Sequence, residues 1–200
     1  MNGQFPSAKF SLVLKSQFFV VALALLLLPL INTLPETKIN TLQAIAVGVT
    51  LAAITFLFFW LLYKYGGRFM QTLKGDIRRI VSLFTGYSLW QCACIAVLAG
   101  VGEELLFRGV VQVWLTQHFS IAVAIAISSL IFGLLHYLSF TYFICATLMS
   151  IAFGIGYYLS GSLLMVTLWH GVYDFIALMA IVKYPHVLDM HSVKPAEERT

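Results

Sequence analysis

The stretch GEELLFRG, residues 102–109, places three charged side chains inside a long apolar run. Glu103 and Glu104 are adjacent, and Arg108 follows four residues after Glu104. A charged side chain at the centre of a bilayer costs roughly 2.5–3.5 kcal/mol on insertion scales. Charges in such a place need partners, water or a function, so this stretch links the fold of the chain to its chemistry.

The composition indicates an integral membrane protein. Of 200 residues, 60% are hydrophobic and only 10% are charged, whereas soluble domains carry roughly 25% charged residues. The chain has too few polar residues to face water on all sides. It also lacks a basic stripe with interleaved aromatic residues, so nucleic-acid binding is excluded.

The apolar runs predict an all-α, polytopic transmembrane bundle of about six spanning helices. Two of them, from about Phe18 to Leu34 and from about Leu42 to Tyr63, form an N-terminal hairpin. Gly100 and Gly102 are candidate break points in the third helix. The remaining spans are predicted at 80–117, 119–137, 140–159 and 162–182. The resulting segments are an N-terminal segment 1–17, the hairpin 18–63, a basic loop 64–79, a catalytic core 80–183 and a polar tail 184–200.

The distribution of basic residues predicts the orientation. Lys9 and Lys15 precede the first span, and residues 64–79 contain five basic residues against the single acidic Asp76. Cytoplasmic loops carry an excess of Lys and Arg. The 64–79 loop and the N-terminus are therefore expected in the cytoplasm, and six helices would return the C-terminus there.

Few charged or titratable side chains lie in the apolar core, and their spacing suggests one pocket. Residues four apart share a helix face, as Glu104 and Arg108 do, and also His170 and Asp174. A carboxylate and a neutral imidazole can hold a water molecule and accept its proton, which is the chemistry of hydrolysis. The core set is Glu103, Glu104, Arg108, Asp174, His118, His136 and His170.

Structural interpretations compete with this one. Glu104 and Arg108 could form only a structural ion pair, and His136 or His170 alone could be a satisfied core histidine. His118, beside polar residues at a helix end, is interpreted as interfacial. Two adjacent glutamates in an apolar span have no such structural explanation. The cysteines form no CxxC pair and are interpreted as structural thiols: Cys92, Cys94 and Cys145.

Other hydrolase signatures are absent. The chain contains neither HExxH nor GxSxG, so a zincin helix and an α/β-hydrolase elbow are not supported. Asp174 is the only aspartate in the predicted spans, so an intramembrane aspartyl pair lacks its second member.

Three ordered motifs resemble those of a known family. Residues 103–108 read EELLFR, residues 132–136 read FGLLH, and residues 170–174 read HGVYD. They match the EExxxR, FxxxH and HxxxN or HxxxD motifs of the CAAX prenyl endopeptidase and bacteriocin-processing (CPBP, ABI) family of intramembrane proteases. The resemblance covers about residues 88–178.

The resemblance implies roles for the motif residues. The first glutamate and the second-motif histidine, here Glu103 and His136, would activate water. Arg108 would orient Glu104. His170 and Asp174 would stabilise the oxyanion or shape the site. An ionised aspartate cannot donate a hydrogen bond as asparagine can, so Asp174 could instead orient His170, be protonated or bind a metal.

The resemblance leaves the cofactor and part of the function open. The site would work either without a metal or with a divalent ion such as zinc, held by Glu103, His136 and His170. The partners would be membrane lipid and a membrane-associated peptide, and the location a bacterial plasma membrane. The alternatives are a bacteriocin-immunity or scaffold protein and a small proton-coupled transporter.

The predicted helix boundaries contain a conflict. A helix that starts near Ile80 inside the cell puts Glu103 near the middle of the membrane or beyond it. His136 would lie near the cytoplasmic end of the following span. Two residues that share one water molecule cannot lie at different depths, so at least one boundary or tilt must differ from this map.

Overall fold

The computed structural model describes residues 9–31, 33–84 and 86–183, and these residues are mostly helical, with no strand among them. The predicted tail 184–200 and residues 1–8 lie outside the described residues. The helices are α1 (Phe10–Leu27), α2 (Thr41–Tyr65), α3 (Gly67–Phe84), α4 (Leu89–Glu104), α5 (Val113–Thr116), α6 (Ile121–Leu135), α7 (Phe140–Ser160) and α8 (Leu163–Val182). A 3-10 turn, Leu28–Leu30, follows α1, and a wide π-helical segment, Leu105–Gln112, joins α4 to α5.

The helices form a polytopic transmembrane bundle, as predicted. In the described part of the chain, four are long and apolar enough to cross a membrane: α1 with its 3-10 turn, α2, α7 and α8. The helical path from Leu89 to Thr116 and the shorter apolar α6 also run through the bundle. The fold is therefore all-α, and about six spans agree with it.

Helix α8 lies at the centre and packs mainly against α2 and α4. Its Val166 and Trp169 belong to a core cluster with Phe153 and Tyr157 of α7. The Trp169 indole Nε1 donates a hydrogen bond of 2.8 Å to Thr55 Oγ1 on α2. Because a buried indole N–H needs an acceptor, this bond also sets the rotation of α8 relative to α2.

Two N-terminal expectations differ from the structure. The first helix begins at Phe10 rather than near Phe18, because the preceding polar residues continue the helix. Residues 67–84 form the helix α3 rather than a loop. Their apolar residues recur every three or four positions, at Met70, Leu73 and Ile77, as an amphipathic helix requires. The many charged residues of this segment make its helical period difficult to recognise in the sequence.

The helix expected to begin at Ile80 begins at Leu89. Ser88 caps it: the Ser88 hydroxyl accepts from the Gln91 backbone N–H, and the Gln91 side chain accepts from the Ser88 N–H. The helix does not break at Gly100 or Gly102. These glycines instead allow close packing, since a Cβ atom on Gly100 would lie 2.9 Å from the Gly171 Cα atom of α8.

The revised boundaries remove the conflict in depth. Glu103 lies fourteen residues after Leu89, about 21 Å along the helix at 1.5 Å per residue. Helix α6 has only 15 residues, about 22 Å, and is shorter than the roughly 30 Å hydrocarbon core. His136, the residue that follows α6, lies at the depth of Glu103, since its Nε2 is 3.6 Å from Glu103 Oε2.

We predict that Gly100→Ala destabilises the bundle. The added methyl group would meet backbone atoms of α8, at 2.8 Å from the Thr167 carbonyl oxygen. Backbone cannot move aside as a flexible side chain can, so we expect a loss of about 1–3 kcal/mol, measured as unfolding in detergent.

The matched control is Gly75→Ala on α3, where a Cβ atom would meet nothing within 4 Å. This exposed helical position should gain up to about 1 kcal/mol from helix propensity. Equal stability of the two variants would contradict close α4–α8 packing at Gly100.

Candidate active site

The charged motif lies where the chain changes from α4 into the π-helical segment Leu105–Gln112. Such wide turns often occur at functional sites. Neighbouring helices bond to this segment: the Ser128 hydroxyl donates to the Phe107 carbonyl at 3.2 Å, and Gln112 Nε2 donates to the Gly154 carbonyl at 3.1 Å. The segment is therefore held by α6 on one side and α7 on the other.

Arg108 is completely buried and is neutralised by Glu104. Its Nη1 donates to Glu104 Oε1 at 3.1 Å, and its Nη2 donates to the carbonyl and hydroxyl oxygens of Ser150 at 2.6 and 2.7 Å. Both charged side chains have no solvent exposure. The guanidinium also lies near three aromatic rings, those of Phe107, Phe132 and Phe153. The expected Glu104–Arg108 pair is present and is anchored to α7.

Glu104 also holds His170. The His170 Nδ1 lies 2.7 Å from Glu104 Oε1, the same oxygen that accepts from Arg108. A carboxylate oxygen only accepts, so Nδ1 carries the proton. The His170 Nε2 atom consequently points away from Glu104, towards Glu103 Oε2 at 4.0 Å and Asp174 Oδ2 at 3.4 Å.

Glu103 faces two imidazole nitrogens across a gap wider than a hydrogen bond. Its Oε2 lies 3.6 Å from His136 Nε2 and 4.0 Å from His170 Nε2. This buried oxygen makes no hydrogen bond within the protein. Polar groups separated by more than about 3.5 Å are commonly bridged by water. The geometry suits a water molecule held between the carboxylate and an imidazole.

The tautomer of His136 follows from its other nitrogen. His136 Nδ1 lies 2.9 Å from the Phe132 carbonyl oxygen, which can only accept, so Nδ1 donates. In neutral His136, Nε2 then carries a lone pair, and this nitrogen faces Glu103. The ring stacks on Phe132 with centroids 4.3 Å apart. The spacing of the FxxxH motif therefore supplies both the acceptor and the stacking partner.

Asp174 lies at the edge of the site. Its Oδ2 atom is 3.4 Å from His170 Nε2, and about 32% of its side chain is exposed. This contact favours the role of orienting His170 over the other roles expected for this aspartate. The three motifs therefore bring all six predicted residues into one cluster: Glu103, Glu104, Arg108, His136, His170 and Asp174.

A cavity of about 310 Å³ adjoins the cluster. Its polar lining includes Glu103, His136, His170 and Asp174, and most of the rest is apolar or aromatic. Helix α3 contributes the apolar side chains of Leu73, Ile77, Ile80 and Phe84. This lining fits an extended chain with apolar side chains or a hydrocarbon group.

Sequence reasoning missed two contributors to the site. Ser150 belongs to no motif, and only the tertiary packing of α7 brings it to Arg108. The cavity wall formed by α3 was also missed, although the 3.6-residue period of its apolar side chains was a readable signal. His118 is exposed and stacks near Trp114, with ring centroids 4.8 Å apart, so it stays outside the cluster as expected.

The arrangement of possible metal ligands bears on the cofactor, which the resemblance leaves open. Among the described residues, no group of three or more His, Cys, Asp or Glu side chains is arranged to hold a metal ion. The side chains of the expected ligand set, Glu103, His136 and His170, lie close together but are not recognised as a group that could hold a metal ion. The cysteines Cys92, Cys94 and Cys145 are free thiols.

We predict that Arg108→Met is strongly destabilising, because it leaves the Glu104 carboxylate buried without its cation. Removing one partner of a buried pair typically costs about 3–5 kcal/mol, measurable by unfolding in detergent. The double variant Glu104→Gln/Arg108→Met should be more stable than Arg108→Met, since the Gln oxygen still accepts from His170. If the double variant lost as much stability as the Glu104→Gln and Arg108→Met variants combined, this coupling would be contradicted.

Comparison with known proteins agrees with this geometry. Residues 85–176 match the family model described as type II CAAX prenyl endopeptidase Rce1-like. Among curated proteins and among solved structures, none matches this chain. The matched segment contains all three motifs and the whole residue cluster, which confirms the resemblance seen in the sequence. Residues 85–176 of this membrane protein are therefore similar to the Rce1-like type II CAAX prenyl endopeptidases.

Proposed function

We propose that this protein is an intramembrane endopeptidase in which Glu103 and His136 activate a water molecule. The observation that carries the proposal is the approach of His136 Nε2 to Glu103 Oε2, at 3.6 Å, inside a largely apolar cavity. The family match over residues 85–176 supports proteolysis as the reaction. The finer assignment of roles rests on hydrogen-bond geometry.

In the first step, water is bound by two acceptors. One O–H of the water donates to Glu103 Oε2 and the other to the Nε2 lone pair of His136. This arrangement turns an oxygen lone pair of the water towards the cavity. The oxygen attacks the carbonyl carbon of the scissile peptide bond, a carbon–oxygen bond forms, and the proton passes to Glu103.

In the second step, the negative charge on the former carbonyl oxygen needs a donor. His170 can supply an N–H from Nε2 when both ring nitrogens are protonated, with Nδ1 donating to Glu104. Asp174, 3.4 Å from Nε2, would orient this N–H. Glu103 then returns its proton to the peptide nitrogen, the carbon–nitrogen bond breaks, and an acid and an amine leave.

The substrate we propose is a membrane-associated peptide, such as a prenylated C-terminal tail, a leader segment or a sorting helix. The cavity is mainly apolar and is lined in part by α3. On the expectation that basic segments face the cytoplasm, the ends of α2 and α8 would lie on the cytoplasmic side. A bacterial plasma membrane is the proposed location.

The steps above use only side chains of this chain, and none is assigned to a metal. A carboxylate, two imidazoles and one water molecule are sufficient for the proton transfers. Of the competing functions, immunity and scaffolding give no reason for the lone pair of His136 to face Glu103, and proton-coupled transport is separated from peptidase activity by the measurements below.

We predict that Glu103→Gln, His136→Ala and His170→Ala each reduce peptide cleavage by roughly 10²–10⁴-fold, the usual contribution of a positioned acid or base. The measurement is cleavage of a peptide library, including prenylated peptides, by protein purified in detergent or nanodiscs. His118→Ala is the matched control, since this exposed histidine lies outside the cluster.

Parent-like cleavage by all three variants would refute the proposed mechanism. A scaffold would keep its cellular phenotype in these variants, whereas a transporter would show pH-driven flux that disappears with Glu103→Gln. These readouts separate the three functions.

We predict that Asp174→Asn keeps most of the activity. The Asn oxygen still accepts from His170 Nε2, and its amide adds a donor that can approach the oxyanion. The expected change in kcat is below about tenfold, equivalent to about 1.4 kcal/mol of barrier. Asp174→Ala should lose more, because His170 Nε2 then loses its acceptor and only Glu104 still holds the ring. If the Asp174→Ala variant and the parent protein had similar kcat values, an orienting role for Asp174 would be contradicted.

A further inference from the structure

Helix α3 lies across one end of the bundle. Its Lys74 ammonium lies 4.6 Å from the ring centre of Tyr63, near the end of α2. Its Asp76 carboxylate accepts a hydrogen bond from the hydroxyl of Ser139, the residue that caps the start of α7. Phe84 packs into a cluster that also contains residues of α8. An amphipathic helix that touches the ends of spanning helices in this way occupies the membrane–water boundary.

The two faces of α3 differ in charge. Residues 64–79 contain five basic residues and one acidic residue. The acidic one, Asp76, is only 3% exposed and points inward to Ser139. Lys64 and Arg78 are exposed, and Lys74 is half-buried against the Tyr63 ring. The acidic charge is therefore turned away from the surface while basic charge remains there.

Aromatic residues mark the level of the headgroups. The Lys64 ammonium lies 5.2 Å from the ring centre of Trp60 and 5.5 Å from that of Tyr65. Tryptophan and tyrosine concentrate at the interface of the bilayer, and lysine extends from it towards water. The junction of α2 and α3 therefore presents its basic groups at the depth of lipid phosphates.

We propose that the outer face of α3, defined here as Lys74 and Arg78 of α3 together with Lys64 at the end of α2, binds the headgroups of anionic phospholipids. The support is charge complementarity at the correct depth, on a helix whose one acidic residue is buried. Each basic residue near an anionic surface strengthens binding by roughly fivefold. The proposal goes beyond the proposed peptidase activity and does not depend on it.

The opposite face of α3 gives this binding a consequence for the cavity. Leu73, Ile77, Ile80 and Phe84 line the same cavity as Glu103 and His136. Lipid bound to the outer face would hold this wall against the bundle. The Asp76–Ser139 bond reaches the segment between His136 and α7, so the wall and the water site are mechanically linked.

The basic residues have a competing explanation: they could serve only to orient the chain during membrane insertion, because loops rich in Lys and Arg stay in the cytoplasm. The two explanations differ in a measurable way. A topology signal acts during insertion and requires no lipid bound to the folded protein. Headgroup binding requires that α3 respond to the lipid composition after folding.

The test is hydrogen exchange of full-length protein in nanodiscs of phosphatidylcholine, with or without added phosphatidylglycerol. We expect amides of residues 67–84 to exchange severalfold more slowly when phosphatidylglycerol is present, and this protection to weaken as salt rises. Amides of α8 should not change. The Glu103→Gln variant should behave like the parent, which separates this result from any failure of the peptidase proposal.

The variant Lys64→Gln/Lys74→Gln/Arg78→Gln should lose the extra protection. The matched control, Lys9→Gln/Lys15→Gln, removes basic charge from exposed positions near the start of α1 and should keep it. Equal exchange of α3 in the two lipid compositions, or loss of protection in the control alone, would overturn the proposal.

Discussion

The buried contact between Arg108, Glu104 and Ser150 is the interaction on which the site depends. It joins the π-helical segment to α7 and leaves one carboxylate oxygen of Glu104 to accept from His170 on α8. A guanidinium can make these contacts at once because its donors lie in a rigid plane. A single buried charge pair thereby links three helices whose contacts are otherwise mostly apolar.

This arrangement also explains why the chain carries two adjacent glutamates. Consecutive residues of a helix point about 100° apart. Glu104 can therefore bond to Arg108 and His170 while Glu103 faces the cavity. The buried oxygen of Glu103 keeps no partner within the protein. One glutamate therefore builds the site, and the other is left available for chemistry.

Helix lengths decide where this chemistry takes place. Helix α6 is too short to cross the bilayer core completely, so His136 meets Glu103 deep within the bundle. Helix α3 then covers the end of the bundle beside that shortened helix, with its apolar face towards the cavity. The proposed activity needs both water and a place for an apolar substrate, and these two features adjoin the same cavity.

The sequence by itself determined the class of fold and identified the six residues that the structure brings into one cluster. Length and hydrophobicity define spanning helices locally, and spacing of four residues predicts shared faces such as those of Glu104 with Arg108 and His170 with Asp174. The starts of helices were harder to predict from the sequence. The charged residues of 64–79 obscured the amphipathic helix α3, and the start of α4 was therefore predicted at Ile80 instead of Leu89. Only the tertiary structure brought Ser150 to Arg108, the cavity wall of α3 to Glu103, and Asp76 to Ser139. These contacts join residues far apart in the chain, and their formation depends on helix packing that no local pattern encodes.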